Sequence, residues 1–222
     1  MLELDVLARS MLLADLAEFL DMPMSEVRSC TAGGSQSTIA EEKKWQGSRE
    51  DFYRTRNDCW LFDLADLNTN TNYWATTITP LMGIRNRNIL DFGCGIGTTS
   101  LFLALSRNRV YGYDINSRVL EFAEFRKEKF GFSHITFSGE LPDLSQFDVI
   151  VAIDIFEHIE NLHGLLLHLG QGVKRGTKLY HFDSFADIHP HPLHYDRPED
   201  LDGWLEEAGF TVWDKRWAIK HA

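Results

Sequence analysis

Two patterns of apolar and polar positions divide the chain near Pro80. Before it, apolar side chains recur at helical spacing, and a polar stretch around Thr31–Thr38 interrupts them ahead of a second helix-like segment that is rich in aromatic residues. After it, short apolar or β-branched runs alternate with helical segments. The two patterns predict an N-terminal helical cap over residues 1–80 and a separate core over residues 81–222.

The alternation in the core predicts a series of strands and helices. The strands fall near residues 89–93, 109–114, 134–138, 148–154 and 177–183, and the helices near 98–106, 116–129, 159–170 and 198–208. Parallel strands need crossover connections, and helices are the usual crossovers. The order therefore predicts an α/β fold, with a doubly wound, mostly parallel sheet and helices on both faces.

The C-terminal end of the core departs from this regular order. One further strand, Phe210–Trp217, is followed by only a few residues, so either a last strand is missing or the final residues form a shortened one. A sheet edge left open in this way can pair with another chain. A homodimer is therefore one expectation.

Composition and charge narrow the classes of partner. The chain has 222 residues, of which 44% are hydrophobic and 25% charged, enough for one well-filled core and a modest appendage. Its formal net charge is −11, with 33 acidic against 22 basic residues. Most of this surface would repel a phosphate backbone, so we expect a small-molecule partner and no nucleic acid.

The cysteines and the apolar stretches bear on compartment and membrane. Cys30, Cys59 and Cys94 are odd in number and form no CxxC pair, which predicts neither a disulfide framework nor a zinc site and fits a reducing cytoplasm. Acidic residues interrupt the apolar N-terminus, which therefore predicts an amphipathic helix rather than a signal peptide. No run approaches ~18 uninterrupted apolar residues, so no membrane partner is expected.

A glycine-rich turn follows the first predicted strand of the core. Ile89–Phe92 leads into Gly93-Cys94-Gly95-Ile96-Gly97, and the next residues open a helix. Glycines let the backbone turn tightly and approach a ligand, and the N–H groups at the helix start face that ligand. A plain strand-to-helix turn is the simpler interpretation. Three alternating glycines, however, raise the entropy cost of folding, and a turn without a ligand does not need them.

An acidic residue ends the second strand of the core. Asp114 lies where a nucleotide ribose binds in doubly wound folds, and a carboxylate can accept hydrogen bonds from two vicinal hydroxyls. The alternative is a cap for the helix that begins near Asn116. Dinucleotide sites prefer GxGxxG, whereas here the glycines alternate after Asp91, which favours a ligand without a pyrophosphate. A nicotinamide-dependent oxidoreductase stays the second hypothesis.

The stretch ILDFGCGIGTTSLFLA resembles the first signature motif of class I S-adenosylmethionine-dependent methyltransferases, and VYGYDIN resembles their second. The resemblance, over roughly residues 88–183, implies a Rossmann-like core that binds S-adenosylmethionine and releases S-adenosylhomocysteine. It places the glycine turn at the methionine part of the cofactor and Asp114 at the ribose. The cofactor-binding residues expected are Asp91, Gly93, Cys94, Gly95, Gly97, Asp114, Ile115, Glu140, Leu141, Asp154, Tyr73 and Trp74.

Several of these residues carry an alternative interpretation. Glu140 and Leu141 stand where the family has a loop near the adenine. Asp154 ends the fourth strand, where it could contact a ligand or cap the following helix. Tyr73 and Trp74 could hold the sulfonium by cation–π attraction of ~0.5–2 kcal/mol, or simply pack the cap against the core.

The stretch from Gln146 to Ile159 is similar to the fourth motif of ubiquinone-type small-molecule methyltransferases, which often carry a Glu-His pair where this chain has Glu157 and His158. Nucleic-acid amino-methyltransferases tend instead to carry an Asn/Asp-Pro-Pro-aromatic motif here. Asp154-Ile-Phe-Glu is not such a motif. The resemblance therefore agrees with the acidic charge in favouring a small-molecule acceptor.

Histidines are the candidates for a general base. His158 comes first, because an ordinary pKa of ~6.5 suits removal of a proton from a hydroxyl, although a packing role is the alternative. His194 and His191 follow, in a segment that also contains His189. Prolines hold that segment extended, so no metal is expected there, and a surface or substrate-loop role is the alternative.

The reaction expected is methyl transfer from S-adenosylmethionine to an O or N nucleophile of a small molecule, by in-line displacement. Two other hypotheses stay open: an NAD-dependent oxidoreductase, and a non-catalytic S-adenosylmethionine-binding protein. Fold does not fix substrate, so the identity of the acceptor stays undetermined at this level.

Overall fold

A computed structural model describes residues 2–186 and 191–221, and strands from the second half of the chain form one sheet. The strands are β1 (Asn88–Phe92), β2 (Arg109–Tyr113), β3 (Ile135–Ser138), β4 (Val149–Ile153), β5 (Lys178–Phe182), β6 (Phe210–Val212) and β7 (Trp217–Lys220). Their order is β3-β2-β1-β4-β5-β7-β6. The pairs among β1 to β5 are parallel, and β7 runs antiparallel between β5 and β6.

Helices precede the sheet and connect its strands. They are α1 (Leu2–Leu20), α2 (Met24–Thr31), α3 (Gly34–Glu42), α4 (Arg49–Tyr53), α5 (Cys59–Asn68), α6 (Thr71–Thr77), α7 (Thr98–Ala104), α8 (Ser117–Phe130), α9 (Leu162–Gly172) and α10 (Leu201–Glu207). The doubly wound α/β prediction is confirmed, and the strands β1 to β5 and the helices α7 to α10 lie where the alternation placed them. The division into a cap over residues 1–80 and a core over 81–222 stays a prediction.

Central strands are apolar throughout because both faces of the sheet are covered. Every residue of β4 is buried, as expected for a strand in the middle of a parallel sheet. Ile150 and Ala152 belong to the core cluster under α9 and α10, whereas Val149 and Val151 pack on the other face with residues of α7. The period-2 geometry of the strand thus supplies two cores at once.

The prediction of one continuous strand over Phe210–Trp217 is wrong. The chain turns between β6 and β7, and the Asp214 carboxylate accepts hydrogen bonds from the backbone N–H groups of Arg216 and Trp217, at 2.8 and 3.0 Å. This aspartate turn reverses the chain with neither glycine nor proline. The shortened last strand is therefore present, and the three-residue β6 forms the sheet edge.

The polar stretch around Thr31–Thr38 is not a long break but part of two helices, α2 and α3. A Cβ on Gly34 would lie 2.6 Å from the carbonyl carbon of Phe62, so the glycine permits close packing of α3 on α5. Thr38 is buried in the same contact and donates its hydroxyl to the Gly34 carbonyl oxygen at 3.3 Å. These polar residues lie in helices and contribute to helix packing. Their polarity alone indicated a break between helices.

A buried ion pair joins α1 to α8. Asp15 is 2% exposed and Arg126 is 8% exposed, and their charged groups lie 3.4 Å apart. Burial lowers the pKa of Arg126 to about 10, and Asp15 opposes that effect. The same guanidinium donates to the Ile96 carbonyl oxygen at 3.0 Å. A residue of the first helix thereby neutralises the cation that holds the glycine turn.

In the part of the chain that the structure describes, no helix has the length and apolar character that a membrane span requires.

Replacing Asp15 tests this connection. Asp15→Ala should lower the free energy of unfolding by about 3–5 kcal/mol, because it leaves the Arg126 charge buried without a counter-ion. The matched control is Glu18→Ala, which removes the exposed partner that Lys129 contacts at 2.6 Å and should cost less than about 1 kcal/mol. Urea denaturation measures both. Equal losses in the two variants would contradict the structural role given to Asp15.

Candidate active site

A cavity of about 1110 Å³ opens where β1, β2 and β4 end. Parallel strands bring their carboxyl ends to one edge of the sheet, and the strand order reverses at β1, where doubly wound folds bind their ligands. The helices α4 and α5 cover the other side of the cavity, and the segment 191–195 closes part of its mouth. The cavity is thus enclosed by segments that are distant in the sequence.

The glycine turn has a left-handed backbone at all three glycines, with φ of 76° at Gly93, 50° at Gly95 and 75° at Gly97. Other residues rarely adopt this region. A Cβ on Gly97 would also lie 2.8 Å from the Phe137 ring. The turn therefore needs glycine for its backbone and, at Gly97, for close packing. Gly97 begins α7, so the helix starts directly below the cavity.

Asp114 fixes this turn from the neighbouring strand. Its Oδ2 accepts from the Gly95 N–H and its Oδ1 from the Asn116 N–H, both at 2.9 Å. Asn116, not Asp114, caps α8, because the Asn116 side chain accepts from Arg118 and Val119 at the helix start. The capping alternative for Asp114 is therefore wrong. Burial raises the pKa of Asp114, and each oxygen keeps a lone pair for a ligand.

Asp91 lies beneath the turn. It is 3% exposed and accepts a hydrogen bond of 2.5 Å from the Ser100 hydroxyl. Burial raises the pKa of Asp91 to about 7, an effect that Ser100 opposes and that Asp114 reinforces. Burial also raises the pKa of the Cys94 thiol well above its ordinary value. Near neutral pH the Cys94 thiol is therefore neutral, whereas Asp91 is only partly ionised.

Most of the cofactor-binding residues expected from the sequence line this one cavity. They are Asp91, Gly93, Cys94, Gly95, Asp114, Ile115, Asp154 and Tyr73. Segments as far apart as α6 and the end of β4 are thereby brought together. The role of each residue in binding stays a prediction.

Four expected residues lie elsewhere: Gly97, Glu140, Leu141 and Trp74. Gly97 is buried at the start of α7. The Glu140 side chain is exposed, and Leu141 packs against the core cluster under α9. Trp74 donates its indole N–H to the Asn68 carbonyl oxygen at 2.7 Å and meets Phe102 edge to face. Tyr73 and Trp74 are neighbours on one helix, so only one of them turns toward the cavity.

The three histidines proposed as general bases form a row along the cavity wall. The His158 and His194 rings are 4.7 Å apart, and the His194 and His191 rings are 4.5 Å apart. His194 also contacts the Ser184 carbonyl oxygen through its Nδ1. Burial, reinforced by His194, lowers the pKa of His158 to about 3, so this ring is neutral at physiological pH but a weaker base than the ordinary pKa of ~6.5 predicts. His189 lies outside the described residues.

Tyr53 determines the hydrogen bonding of His158. Its hydroxyl lies 2.6 Å from His158 Nδ1 and 3.3 Å from the Leu193 carbonyl oxygen. That carbonyl needs a donor, and only one arrangement satisfies all three groups. His158 Nδ1–H donates to the Tyr53 oxygen, and the Tyr53 hydroxyl donates to Leu193. The lone pair of the imidazole is then on Nε2, the atom that can take a proton.

Asp154 has a strained backbone at the end of β4, with φ of 49°. Its Oδ1 accepts from the Ser184 hydroxyl at 2.7 Å, whereas its Oδ2 is buried with no partner within hydrogen-bond distance among the described groups, and the Tyr73 hydroxyl is a nearby donor that interacts with the same carboxylate. The helix-cap alternative for Asp154 is wrong, because Asn161 caps α9. A strained, incompletely paired side chain at a cavity edge is typical of a functional position.

Glu157 is completely buried next to Asp154. Its Oε1 accepts from the Ser184 N–H at 2.9 Å, whereas its Oε2 has no donor. Burial raises the pKa of Glu157, and the nearby Asp154 charge raises it further. Both effects favour the protonated form, so Glu157 holds its proton at a pH where an exposed glutamate is ionised.

Glu157, His158 and His194 have potential ligand atoms within 4.8 Å of one another. Each already bonds a protein group: Glu157 the Ser184 N–H, His158 the Tyr53 hydroxyl and His194 the Ser184 carbonyl oxygen. These contacts account for their positions without an ion. The sequence-based expectation of no metal stays a prediction.

Sequence reasoning missed the contribution of Tyr53. This residue belongs to the aromatic-rich helical segment ahead of the core, and no motif marks it. Asn116, which also lines the cavity, fixes its position by donating its side-chain amide to the Tyr53 and Thr55 carbonyl oxygens at 2.7 and 3.1 Å. Only a contact between distant segments reveals this arrangement.

Because Glu157 is protonated, Glu157→Gln should raise the free energy of unfolding by an amount that depends on pH. A raised folded-state pKa favours folding at low pH, and this contribution is lost as the pH rises above the ordinary Glu value of ~4.3. Glutamine reproduces the protonated acid, because its oxygen can accept from Ser184 and its amide can donate to Asp154. At pH 8 the variant should be more stable by roughly 1–3 kcal/mol.

Denaturant titrations at pH 8 and pH 4.5 measure this difference, which should shrink at the lower pH. Glu157→Ala is the control: it leaves the buried Ser184 N–H without its acceptor and should destabilise at both pH values. A Glu157→Gln variant less stable than the natural chain at pH 8 would show that Glu157 is ionised.

The similarity to known proteins covers the part of the chain that forms the sheet and much of the cavity. A family model described as "Methyltransferase domain" matches residues 66–215. Proteins called "Ubiquinone biosynthesis O-methyltransferase" are similar. The one from Pseudomonas savastanoi is 26% identical over 178 residues, which cover 68% of this chain and 75% of the relative. The one from Pseudomonas aeruginosa is 28% identical over 178 residues, with the same coverage of 68% and 75%.

Solved structures share the fold. The magnesium protoporphyrin IX methyltransferase of Synechocystis, solved with bound S-adenosylmethionine, superposes with a TM-score of 0.58 at 20% identity and covers 79% of this chain and 98% of its own. A methyltransferase from Aquifex aeolicus gives a TM-score of 0.52 at 21% identity, with 63% of this chain and 83% of its own covered. At these identities the likeness concerns the fold alone.

Proposed function

Because the chain belongs to the methyltransferase domain family, we propose that it transfers a methyl group from S-adenosylmethionine to a small-molecule acceptor. One observation carries this proposal: the Asp114-anchored glycine turn and a neutral, hydrogen-bonded imidazole line the same cavity. The turn supplies a place for an adenosyl cofactor, and the imidazole supplies a proton acceptor. The cavity between them supplies room for the methyl acceptor.

The residues of the turn fit S-adenosylmethionine. Asp114 keeps one lone pair on each oxygen for the two ribose hydroxyls. A Cβ on Gly95 would lie 3.1 Å from Leu64, so the absence of a side chain keeps space open between the turn and α5. Tyr73, whose hydroxyl interacts with Asp154, presents an aromatic ring on the same cavity. Such a ring attracts a sulfonium.

The bound cofactor would supply an activated methyl group, so the protein has to align the reactants and exclude water. Alignment alone can contribute about 7–11 kcal/mol. The acceptor oxygen attacks the methyl carbon in line, the carbon–sulfur bond breaks, and S-adenosylhomocysteine remains. For a hydroxyl acceptor, His158 Nε2 takes the proton, and Tyr53 holds the ring in the required tautomer.

The acidic charge of −11 supports a small molecule rather than nucleic acid as acceptor. The cysteines that the structure describes are free thiols, which supports the proposal of a cytoplasmic protein. A homodimer through the outer edge of β6 stays a proposal, although a strand of three residues offers few hydrogen bonds to a second chain, and light scattering in solution tests it.

Replacing Asp114 tests the cofactor site. Asp114→Ala should weaken S-adenosylhomocysteine binding by at least ~100-fold, because two charge-assisted hydrogen bonds are lost and the turn loses its anchor. Asp114→Asn keeps one acceptor oxygen and should lose less. Calorimetry measures both, with Glu206→Ala on the exposed side of α10 as control. A folded Asp114→Ala variant with undiminished affinity would exclude the ribose role, and tighter binding of NAD than of S-adenosylhomocysteine would favour the oxidoreductase hypothesis.

Replacing His158 and Tyr53 tests the general base. His158→Ala should lower turnover of a hydroxyl acceptor by ~10²–10⁴-fold with unchanged cofactor affinity. Tyr53→Phe should lower kcat less, because His158 Nδ1 can still donate to the Leu193 carbonyl oxygen at 3.3 Å.

Catechol and aniline serve as aromatic O- and N-acceptors, because aniline is already a neutral amine near neutral pH and needs no base before it attacks, and S-adenosylhomocysteine release is the readout. If His158→Ala lowers turnover of the amine as much as turnover of catechol, the result would argue against a proton-transfer role for His158. Tight cofactor binding without product from any acceptor would favour the non-catalytic hypothesis.

A further inference from the structure

A second cleft, of about 630 Å³, lies at the opposite end of the sheet. It is bounded by the amino-terminal ends of β1, β4 and β5 and by the turn between β6 and β7. It has no lining residue in common with the active-site cavity. A ligand in this cleft would therefore be neither the cofactor nor the methyl acceptor.

Cations dominate its lining: Arg85, Arg87, Lys174, Arg175 and Lys178. Backbone pairing brings their segments together, since Arg109 N–H donates to Arg87 O, Asp148 N–H to Asn88 O and Lys178 N–H to Asp148 O. Residues 82–88, 105–109 and 173–178 contain seven lysines and arginines and not one acid, in a chain with a net charge of −11. Positive charge is therefore concentrated at this cleft, although the chain as a whole is acidic.

Most of these cations lack a counter-ion. Lys174 pairs with Asp148 at 2.8 Å, and Asp214 directs its carboxylate to backbone N–H groups of its own turn. Arg85, Arg87 and Arg175 form no salt bridge within the described ranges 2–186 and 191–221, although Arg87 is near enough to Asp148 to lower the pKa of that carboxyl. Several arginines elsewhere in the same ranges, such as Arg56, Arg118 and Arg126, do pair with acids. Unpaired guanidinium groups gathered in one cleft favour an external anion.

An apolar wall completes the cleft. Trp213 is 68% exposed, which is unusual for so large a hydrophobic side chain, and Lys178 Nζ lies 5.6 Å from its ring centre. Trp217 and Ile84 line the cleft beside it. A flat aromatic face beside several cations suits a ligand that carries both an anionic group and an apolar or aromatic part.

We propose that this cleft binds a phosphate-bearing ligand, with the phosphate on Arg85, Arg87 and Arg175 and the remainder against Trp213. A guanidinium group can donate two parallel hydrogen bonds to two oxygens of one phosphate. A monocarboxylate would neutralise only one of these cations, whereas a diphosphate matches several. A long nucleic acid would extend beyond the cleft onto the acidic remainder of the surface and be repelled there. The cleft therefore suits a phosphate ligand that is small enough to fit inside it.

Calorimetry with pyrophosphate and ADP, and adenosine as the uncharged comparison, tests the proposal at low salt and with S-adenosylhomocysteine in excess, so that the proposed cofactor site does not take up the adenosine part of a probe. Pyrophosphate and ADP should bind saturably, more weakly as ionic strength rises, and adenosine should not. The double variant Arg85→Gln/Arg87→Gln should lose at least ~10-fold in affinity. Arg28→Gln/Lys43→Gln, which removes two exposed cations of the N-terminal helices, is the matched control and should stay within about twofold. Pyrophosphate should also change the tryptophan fluorescence of the natural chain but not of Trp213→Phe.

Vesicles distinguish the two sources of a phosphate group. Phosphatidylglycerol vesicles that retain the natural chain but not the Arg85/Arg87 variant, with phosphatidylcholine vesicles retaining neither, would support a lipid headgroup. Saturable binding of ADP or pyrophosphate without vesicle binding would support a soluble ligand. The proposal is overturned if none of these probes binds, or if the control variant loses as much affinity as the Arg85/Arg87 variant. Methyl transfer does not enter any of these readouts.

Discussion

The left-handed glycine turn between β1 and α7 is the constraint on which the rest of the site depends. Gly95 holds its conformation because Asp114, at the end of the next strand, accepts its N–H. Arg126 of α8 holds the Ile96 carbonyl oxygen. That guanidinium is buried only because Asp15 of the first helix neutralises it. The glycine turn, the sheet and the N-terminal helices are therefore connected by these charged contacts, and the loss of any of the contacts would affect the turn.

The other half of the cavity depends on contacts between distant segments. Tyr53 reaches His158 from a short N-terminal helix, and the Leu193 carbonyl oxygen completes the hydrogen-bond chain. Behind His158, Asp154 and Glu157 are buried with too few donors. The left-handed backbone of Asp154 adds strain of about 1–3 kcal/mol, which persists only where the surrounding structure enforces it. It lies beside the proposed site of proton transfer.

Local signals in the sequence explain why much of the fold could be predicted. Strand and helix periods, the alternating glycines and the acid at Asp114 are each visible within a few residues, and the carboxyl ends of parallel strands meet at one edge whatever their side chains are. Predictions were wrong where a long-range contact decided the conformation. Gly34 permits α3 to pack on α5 instead of breaking the chain, and Asp214 turns the last strand without glycine or proline.

The sequence by itself determined the α/β fold, the glycine turn and the carboxylate beside it, because backbone sterics and periodicity act over short distances. The tertiary structure decided which of the neighbouring residues Tyr73 and Trp74 turns to the cavity. It also decided that Tyr53 holds the imidazole of His158, and that cations dispersed along the chain gather at the far end of the sheet. Burial, tautomer and local charge depend on residues that are far apart in sequence, and folding alone brings those residues together.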